Sequence, residues 1–520
     1  MTSTIRSFAV LLQLGLLGSP RLLAQCPDGS PPPCRQRTRT ASPAPNSVAV
    51  LYLDNLSPDT ADAFLADGLT EEIASRLGDV GRLSVKQASR EGIRRLRENA
   101  PDYRVAAGRA FAVHFLVEGS LRRGGPRVRV DVRLVNAATG FRVWGETYDR
   151  ATSNLLDLQE EIAREVATSI AGQLAPRERT ALAKRPTAIP DAYEHFLRGN
   201  YFLAKRSVDG FVHAIEEFET AARIDPQFAR ATARAGLAHE LLYEYAAGTR
   251  IPVPSRLTPE SLWARGIALA DQALLQDSTV SDAWVTKAYG ARFTHPRSFE
   301  GVLPALERAV TLDPHSAEVF HQYAFFLREL GQDSAARAAC LRSLAIEPER
   351  PITLSALGFL SFLARDFFDS RRWLDSSLQI NPEFYWGYVR RSRTRLMLED
   401  LPGARADAAM ALRAGGGDSS IGNALLAMVS ARSGDTVAAR TFMSRALHAL
   451  PDTTWEAHLE ERLLPAVALV TLGERDAALT LLERARPRGA TLWSGLRAPD
   501  FDPIRAEPRF QRLVEESRPP

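Results

Sequence analysis

Lysine is nearly missing from this chain. Of 65 basic residues only Lys86, Lys184, Lys205 and Lys287 are lysines, which leaves 61 arginines (65 − 4). They are scattered, with no arginine-rich face, and 62 acidic residues bring the formal net charge to only +3. Charge of that size excludes a bulk field for nucleic acid or an anionic membrane. Cysteine is as scarce, three in 520 residues. Cys26 and Cys34 enclose Pro-Asp-Gly-Ser-Pro-Pro-Pro and could close a small disulfide loop in an oxidising compartment. Without a second pair they do not make a zinc site. Cys340 falls on an apolar stripe, where a thiol serves as a small hydrophobe. Beyond the first 25 residues no apolar run is long enough for a transmembrane helix.

Catalytic patterns are also absent. The chain holds no nucleotide-binding glycine loop, no His-Glu-x-x-His and no Gly-x-Ser-x-Gly. Gly415-Gly416-Gly417-Asp418 stands between two helical patterns, and the nine histidines are spread out. His213 and Glu216 share a helix face that reads as an exposed polar one. Asp54, Asp59, Asp62, Asp67, Glu71 and Glu72 cluster near the first strand–helix crossing. A metal site is conceivable there, but acids near a helix N-terminus already suit the helix dipole. No catalytic, cofactor-binding or metal-binding residue is therefore assigned, and the chain is read as not an enzyme.

What the chain has is a repeat. Pro314, Pro348 and Pro382 recur every 34 residues, each after an acidic or amide residue (Asp313, Glu347, Asn381). Between the first two, Val319, Phe320, Tyr323, Phe326, Leu327 and Leu330 form one helical stripe. Gly331 breaks it, and Ala335, Ala336, Ala339, Cys340, Leu344 and Ile346 form a second. Proline lacks the amide hydrogen of a continuing helix and pushes its predecessor out of the α region, so the second helix must stop. Small residues such as Ala336 and Ala339 let antiparallel backbones approach. The spacing Gly331/Ala336 returns as Gly434/Ala439 and Gly473/Ala478. This helix-turn-helix of 34 residues resembles the tetratricopeptide repeat family.

At the amino end, Arg6, the apolar stretch Phe8 to Leu17 and Leu22-Leu23-Ala24 before Gln25 predict a signal peptide over 1–24. The expected location is periplasmic or otherwise exported. Cytoplasmic retention and a lipid on Cys26 stay open, although Gln25 does not suit a lipobox. Residues 25–46, rich in Pro, Ser, Thr and Arg, read as a linker.

From 47 to 176 the pattern is α+β. Strands are expected at Val48 to Leu53, Leu83 to Val85, Phe115 to Leu121, Arg127 to Val135 and Phe141 to Tyr148. Helices are expected around Phe64 to Leu77, Tyr103 to Ala112 and Leu158 to Leu174. Val128, Val130, Val132 and Leu134 alternate with charged residues, so that strand has one dry and one wet face. Val48-Ala-Val-Leu-Tyr-Leu-Asp-Asn-Leu-Ser57, Ala66-Asp-Gly-Leu-Thr-Glu-Glu-Ile73, Leu116-Val-Glu-Gly-Ser-Leu-Arg122 and Val143-Trp-Gly-Glu-Thr-Tyr-Asp149 resemble the TolB amino-terminal-like domain. In bacterial signalling proteins that module often precedes tetratricopeptide repeats, behind a cyclase, kinase or winged-helix effector. Here no effector and no β-propeller accompany it, so the resemblance implies no enzymatic activity.

Residues 177–190 read as a linker, 191–490 as about eight repeat hairpins by the repeat-period rule, and 491–520 as a capping segment. Gly248 to Leu257 looks like an inserted loop before a helix capped by Thr258 with Pro259 at its first turn. The fold class is thus an α+β domain followed by an all-α solenoid. Stacked hairpins expose the inner faces of their first helices. Counted from the prolines, Trp284, Lys287, His321, Phe325, Phe359, Trp386 and Arg393 should face inward and bind a protein or peptide partner. The expected function is a non-enzymatic exported scaffold. The alternative is a regulatory or sensor subunit acting with an effector (cyclase, kinase or transcription factor) on another chain.

Overall fold

A computed structural model describes residues 43–246, 253–295, 299–450, 463–484 and 489–519. The expected signal peptide, Cys26, Cys34, most of the first linker, Pro451 and the start of the inserted loop lie outside the described residues.

One mixed sheet opens the chain. Its strands are β1 (Ser47–Val50), β2 (Asp54–Asn55), β3 (Ser84–Gln87), β4 (Phe115–Gly124), β5 (Arg127–Asn136) and β6 (Arg142–Ala151). Their order is β3-β1-β4-β5-β6, with β2 alongside β4. β1 runs parallel to β3 and β4, whereas β4, β5 and β6 form an antiparallel meander. Alternation explains which faces are covered. Val48 and Val50 join the core beneath helices α1 (Ala63–Gly78) and α4 (Leu155–Ala171). Ala49 and Leu51 pack on the opposite face against Ile93, Ala107 and Phe111 of α2 (Arg90–Asn99) and α3 (Tyr103–Phe111). A strand covered on both sides reads as an unbroken apolar run. On β5 the valines are buried while Arg127, Arg129 and Arg133 are exposed, as the alternation predicts.

The strand expected over Val48 to Leu53 ends at Val50, with β2 as a separate short strand, and two helices also differ from expectation. Helix α2 carries only Ile93 and Leu96 among charged residues, too little for a stripe. It is held instead by Ser89, whose hydroxyl accepts from the Gly92 amide at 2.8 Å, and by Arg94 paired with Glu91 and Glu98. The segment expected as a linker over 177–190 contains α5 (Pro176–Ala183). Pro176 opens that helix rather than breaking one, Leu182 is buried, and its carbonyl accepts from Arg76.

Eight helix pairs follow among the described residues: α6/α7 (Pro190–Ala204, Val208–Ile224), α8/α9 (Ala229–Ala246, Pro259–Gln276), α10/α11 (Ser281–Thr294, Val302–Leu312), α12/α13 (Ala317–Glu329, Asp333–Ile346), α14/α15 (Pro351–Leu363, Phe367–Ile380), α16/α17 (Tyr385–Met397, Leu401–Ala414), α18/α19 (Ser420–Arg432, Thr436–His448) and α20/α21 (Leu464–Thr471, Arg475–Glu483). Asp313, Glu347 and Asn381 end α11, α13 and α15 one residue before each proline. The corner inside a pair is left-handed at Gly331, Arg365 and Glu399, again 34 residues apart, and at Gly434 and Gly473. Ala336, Ala439 and Ala478 are fully buried where the second helix meets the first, but Ala335 is exposed and leaves the expected stripe. Thr258 caps α9 by accepting from the Ser261 amide. The chain is thus an array of antiparallel helix pairs with the tetratricopeptide period.

Sheet and array share one core. The Gly68 backbone of α1 lies so near Leu197 of α6 that a Cβ there would stand 2.8 Å from the leucine Cδ2. Buried apolar residues run on from Val48 to Phe326 in a single cluster. The tail, α22 (Ala490–Leu496), a short 3-10 turn (Pro499–Ile504) and α23 (Pro508–Ser517), buries Phe501, Phe510 and Leu513.

Candidate binding cavity on the inner face

Helices α8, α10, α12, α14 and α16, the first members of five consecutive pairs, surround a cavity of about 60 Å³. A water needs about 10–15 Å³ on such a measure, so this is room for a small molecule or one side chain rather than an extended peptide. The 34-residue period places the wall residues. Phe325 and Phe359 hold the same position in successive repeats, as do Gln322, Ala356 and Arg390, and as do Ile352 and Trp386; all of these line the cavity.

Of the residues expected to face inward, His321, Phe325, Phe359 and Trp386 line this cavity together. Arg393, one period after Phe359, is adjacent but engaged: its guanidinium stands 5.5 Å from the Phe359 ring and donates to buried Asp500 at 2.6 Å. Trp284 and Lys287 are elsewhere. The Trp284 indole donates to the Ser278 carbonyl, and Lys287 pairs with Asp271 at 2.7 Å on the outside. The reason is a slip of register. Helices α9 and α11 end at Asp277 and Asp313, 36 residues apart rather than 34 (313 − 277). Counting back 36 from Phe325 gives Tyr289, which does line the cavity. Arg206, Glu244, Tyr245 and Arg328 also line it, and the sequence reading missed them. Arg328 and Arg390 carried a signal, because each lies a turn from an inward aromatic.

The walls mix aromatic rings with paired charges. Arg206 and Arg350 converge on Glu318, Arg328 meets Glu329 at 2.7 Å, and Arg292 meets Glu244 at 2.7 Å. The Tyr289 hydroxyl donates to Gln322, whose amide donates to Glu318. Arg328 lies 5.2 Å from the Phe325 ring and 5.1 Å from the Phe359 ring, and Arg390 lies 5.2 Å from Phe359. Burial, followed by Arg350, Arg206, Arg390 and Arg328, holds the His321 imidazole well below its usual range, so it is neutral at pH 7. Burial pushes the Cys340 thiol up to about 12, far from a reactive thiolate.

Both ends of the described chain are tied to the middle of the array around this cavity. From the α+β part, Ser89 donates to Glu349 between α13 and α14 at 2.6 Å, and Glu72 accepts from Arg230 of α8 at 2.9 Å. From the tail, Trp493 covers Gly331, Arg497 meets Asp333 at 2.8 Å, and Asp502 meets Arg365. The tail therefore folds back along α12, the start of α13, the corner between α14 and α15, and α16 instead of covering only the last pair. The acidic cluster near the first crossing is distributed over arginines: Asp54 with Arg97, Asp62 with Arg123, Asp67 with Arg90 and Glu72 with Arg230. Among the described residues no group of three or more His, Cys, Asp or Glu is placed to hold a metal, and no helix is long and apolar enough to cross a membrane.

No protein-family model matches the chain. A stretch of 246 residues, 47% of the chain, is 28% identical to a curated protein named putative adenylate cyclase 3 from Rhizobium meliloti (strain 1021). The chain spans about two fifths of that relative, 40% of its length. Among solved structures, the type IV pilus biogenesis factor PilW is 19% identical with a TM-score of 0.34, covering 38% of this chain and 90% of its own. Pseudomonas aeruginosa PilF is 17% identical at a TM-score of 0.35, covering 48% and 97%. A human IFIT1 dimer is 15% identical at 0.40, covering 64% and 76%. At these scores the fold rests on the chain's own helix pairs and their period.

Proposed function

We propose that this protein is a non-enzymatic interaction scaffold that holds a protein or peptide partner through its helix-pair array. The observation that carries this reading is the convergence of His321, Phe325, Phe359 and Trp386 from three successive first helices onto one inner cavity, which has room for a single side chain or chain end of the partner. Aromatic residues beside arginines dominate interface energetics. Cross-linking of the full chain in its native cells, with the captured protein identified, tests it. Trp386→Ala and Phe359→Ala should lose the partner while exposed Val437→Ser keeps it. Equal capture by all three would move the binding surface away from the inner face.

A second reading is favoured by the 246-residue stretch in common with a protein named as an adenylate cyclase. In it the chain is a sensor or regulatory subunit, and the likeness of its α+β part to the TolB amino-terminal-like domain belongs here. The cellular site separates the two. Mature protein beginning at Gln25 outside the inner membrane favours the exported scaffold, whereas unprocessed cytoplasmic protein favours the regulatory subunit.

A further inference from the structure

We infer that the inner cavity takes an aromatic ring bearing a hydrogen-bond donor, a phenol or an indole, whose O–H or N–H donates to Nε2 of His321. This rests on the reading of the inner face as the binding surface and names what that face accepts. The direction of each hydrogen bond around His321 carries the argument. The Ser343 hydroxyl is 2.8 Å from the Ala317 carbonyl, which can only accept, so the single serine hydrogen points there. Ser343 Oγ is also 3.2 Å from the Thr353 hydroxyl, and with its own hydrogen engaged it must accept from the threonine. The Thr353 oxygen in turn lies 3.3 Å from His321 Nδ1, and with its hydrogen on Ser343 it accepts from an Nδ1–H. The relay therefore fixes one tautomer: Nδ1 carries the proton and Nε2 keeps a bare lone pair.

That lone pair is buried and unanswered. His321 is 7% exposed and lines the cavity, whereas Thr353, to which Nδ1 turns, is not part of the wall. Burial keeps the ring neutral, and no group among the described residues donates to Nε2. A ligand hydroxyl or N–H removes the cost of leaving a buried acceptor without a donor. Packing alone does not require the relay. Its first link recurs one period on, where Ser377 donates to the Pro351 carbonyl at 2.8 Å, but Gly387 and Ser355 stand there in place of the threonine and the histidine. The wall decides the rest of the ligand. Tyr289, Phe325, Phe359 and Trp386 surround the space, which suits a flat ring and is too small for an extended strand. Arg328 and Arg390 already lie 5.1 and 5.2 Å from the centroid of the Phe359 ring, so that ring is not open to a cationic donor. The donor is accordingly neutral. Two sources share this chemistry, a free small molecule and an aromatic side chain of the partner.

The test is calorimetric titration of the full chain with 4-methylphenol and 3-methylindole, with their donor-free counterparts toluene and 1,3-dimethylindole, and with a capped pentapeptide carrying a central tyrosine, tryptophan or phenylalanine. At least one donor should bind, about tenfold tighter than its donor-free counterpart, the size of one buried hydrogen bond. In His321→Leu, or in His321→Phe where the leucine variant does not fold, that preference should vanish. Nitrogen NMR of the histidine-labelled wild-type chain gives a reading that needs no variant: the imidazole whose signals move on ligand addition should carry its proton on Nδ1. Binding of the small donors, or of the tyrosine or tryptophan peptide, identifies the source. The proposal is overturned if no donor binds, if donor-free counterparts bind as tightly, if the preference survives loss of the imidazole, or if that ring carries its proton on Nε2. Capture of the partner by cross-linking is a separate readout, so failure here with Trp386-dependent capture intact sinks this inference and spares the scaffold.

Discussion

Burial raises the carboxyls of individual acids in this protein. Glu71 belongs to the acidic cluster that stands out in the sequence, yet its fate depends on what the fold brings to it. Burial, and then the Glu347 carboxylate from the far side of the array, push its carboxyl up to about 7. The folded state therefore holds a proton that the unfolded chain releases near the ordinary value. Stability from this group is full below that ordinary value and is lost as pH rises through about 7. Glu71→Gln should thus gain on wild type as pH goes from about 5 to about 8, read as urea midpoints across the series. A difference that does not change with pH would contradict the assignment. Glu240 makes the same point in the interior: both its oxygens are buried without hydrogen bonds, and burial beside Glu244 raises its carboxyl well above the usual range.

At the scale of elements the repeat is written in corners as much as in stripes. Gly331 and Gly434 have nearly the same left-handed backbone, φ +74° and +79°, but a Cβ at Gly331 would meet Trp493 at 2.5 Å and one at Gly434 meets nothing. Gly434→Ala should cost about 1–2 kcal/mol for the backbone alone. Gly331→Ala should cost about 1–3 kcal/mol more through overpacking. Equal losses in thermal or urea melts would mean that the tail does not seat on α12. Much of this scale was legible: the 34-residue spacing, the glycine breaks, the buried alanines and the alternating β5 all follow from chain geometry. Helix α2 was not, because its stability comes from a cap and surface ion pairs. Helix α5 was hidden because proline signals both a break and a helix start.

The molecule as a whole is decided by contacts between residues far apart in sequence. Arg393 and Asp500 are both buried and join α16 to the tail at 2.6 Å. Arg393→Met should destabilise by about 3–5 kcal/mol because it strands a buried carboxylate. The double change Arg393→Met/Asp500→Leu should recover most of that loss in a urea melt. No recovery would show that the pair does more than neutralise itself. The same closure makes the inner face a cavity where the sequence suggested a long groove. It also turns Arg393 from an expected binding residue into a tie between chain segments. Trp284 and Lys287 left the site for a different reason, the two extra residues between Asp277 and Asp313.

By itself the sequence determined the local rules: which segments are helices or strands, their period, and which side of each helix is apolar. These depend on steric and solvation preferences within a few turns of chain, so they can be read in order. Only the tertiary structure decided that sheet and array share one core, that the tail folds back, and that arginines from separate repeats crowd around His321. Those outcomes depend on accumulated angles between successive pairs and on ion pairs across more than a hundred residues. A period alone does not encode them, because small departures from it add up along the stack.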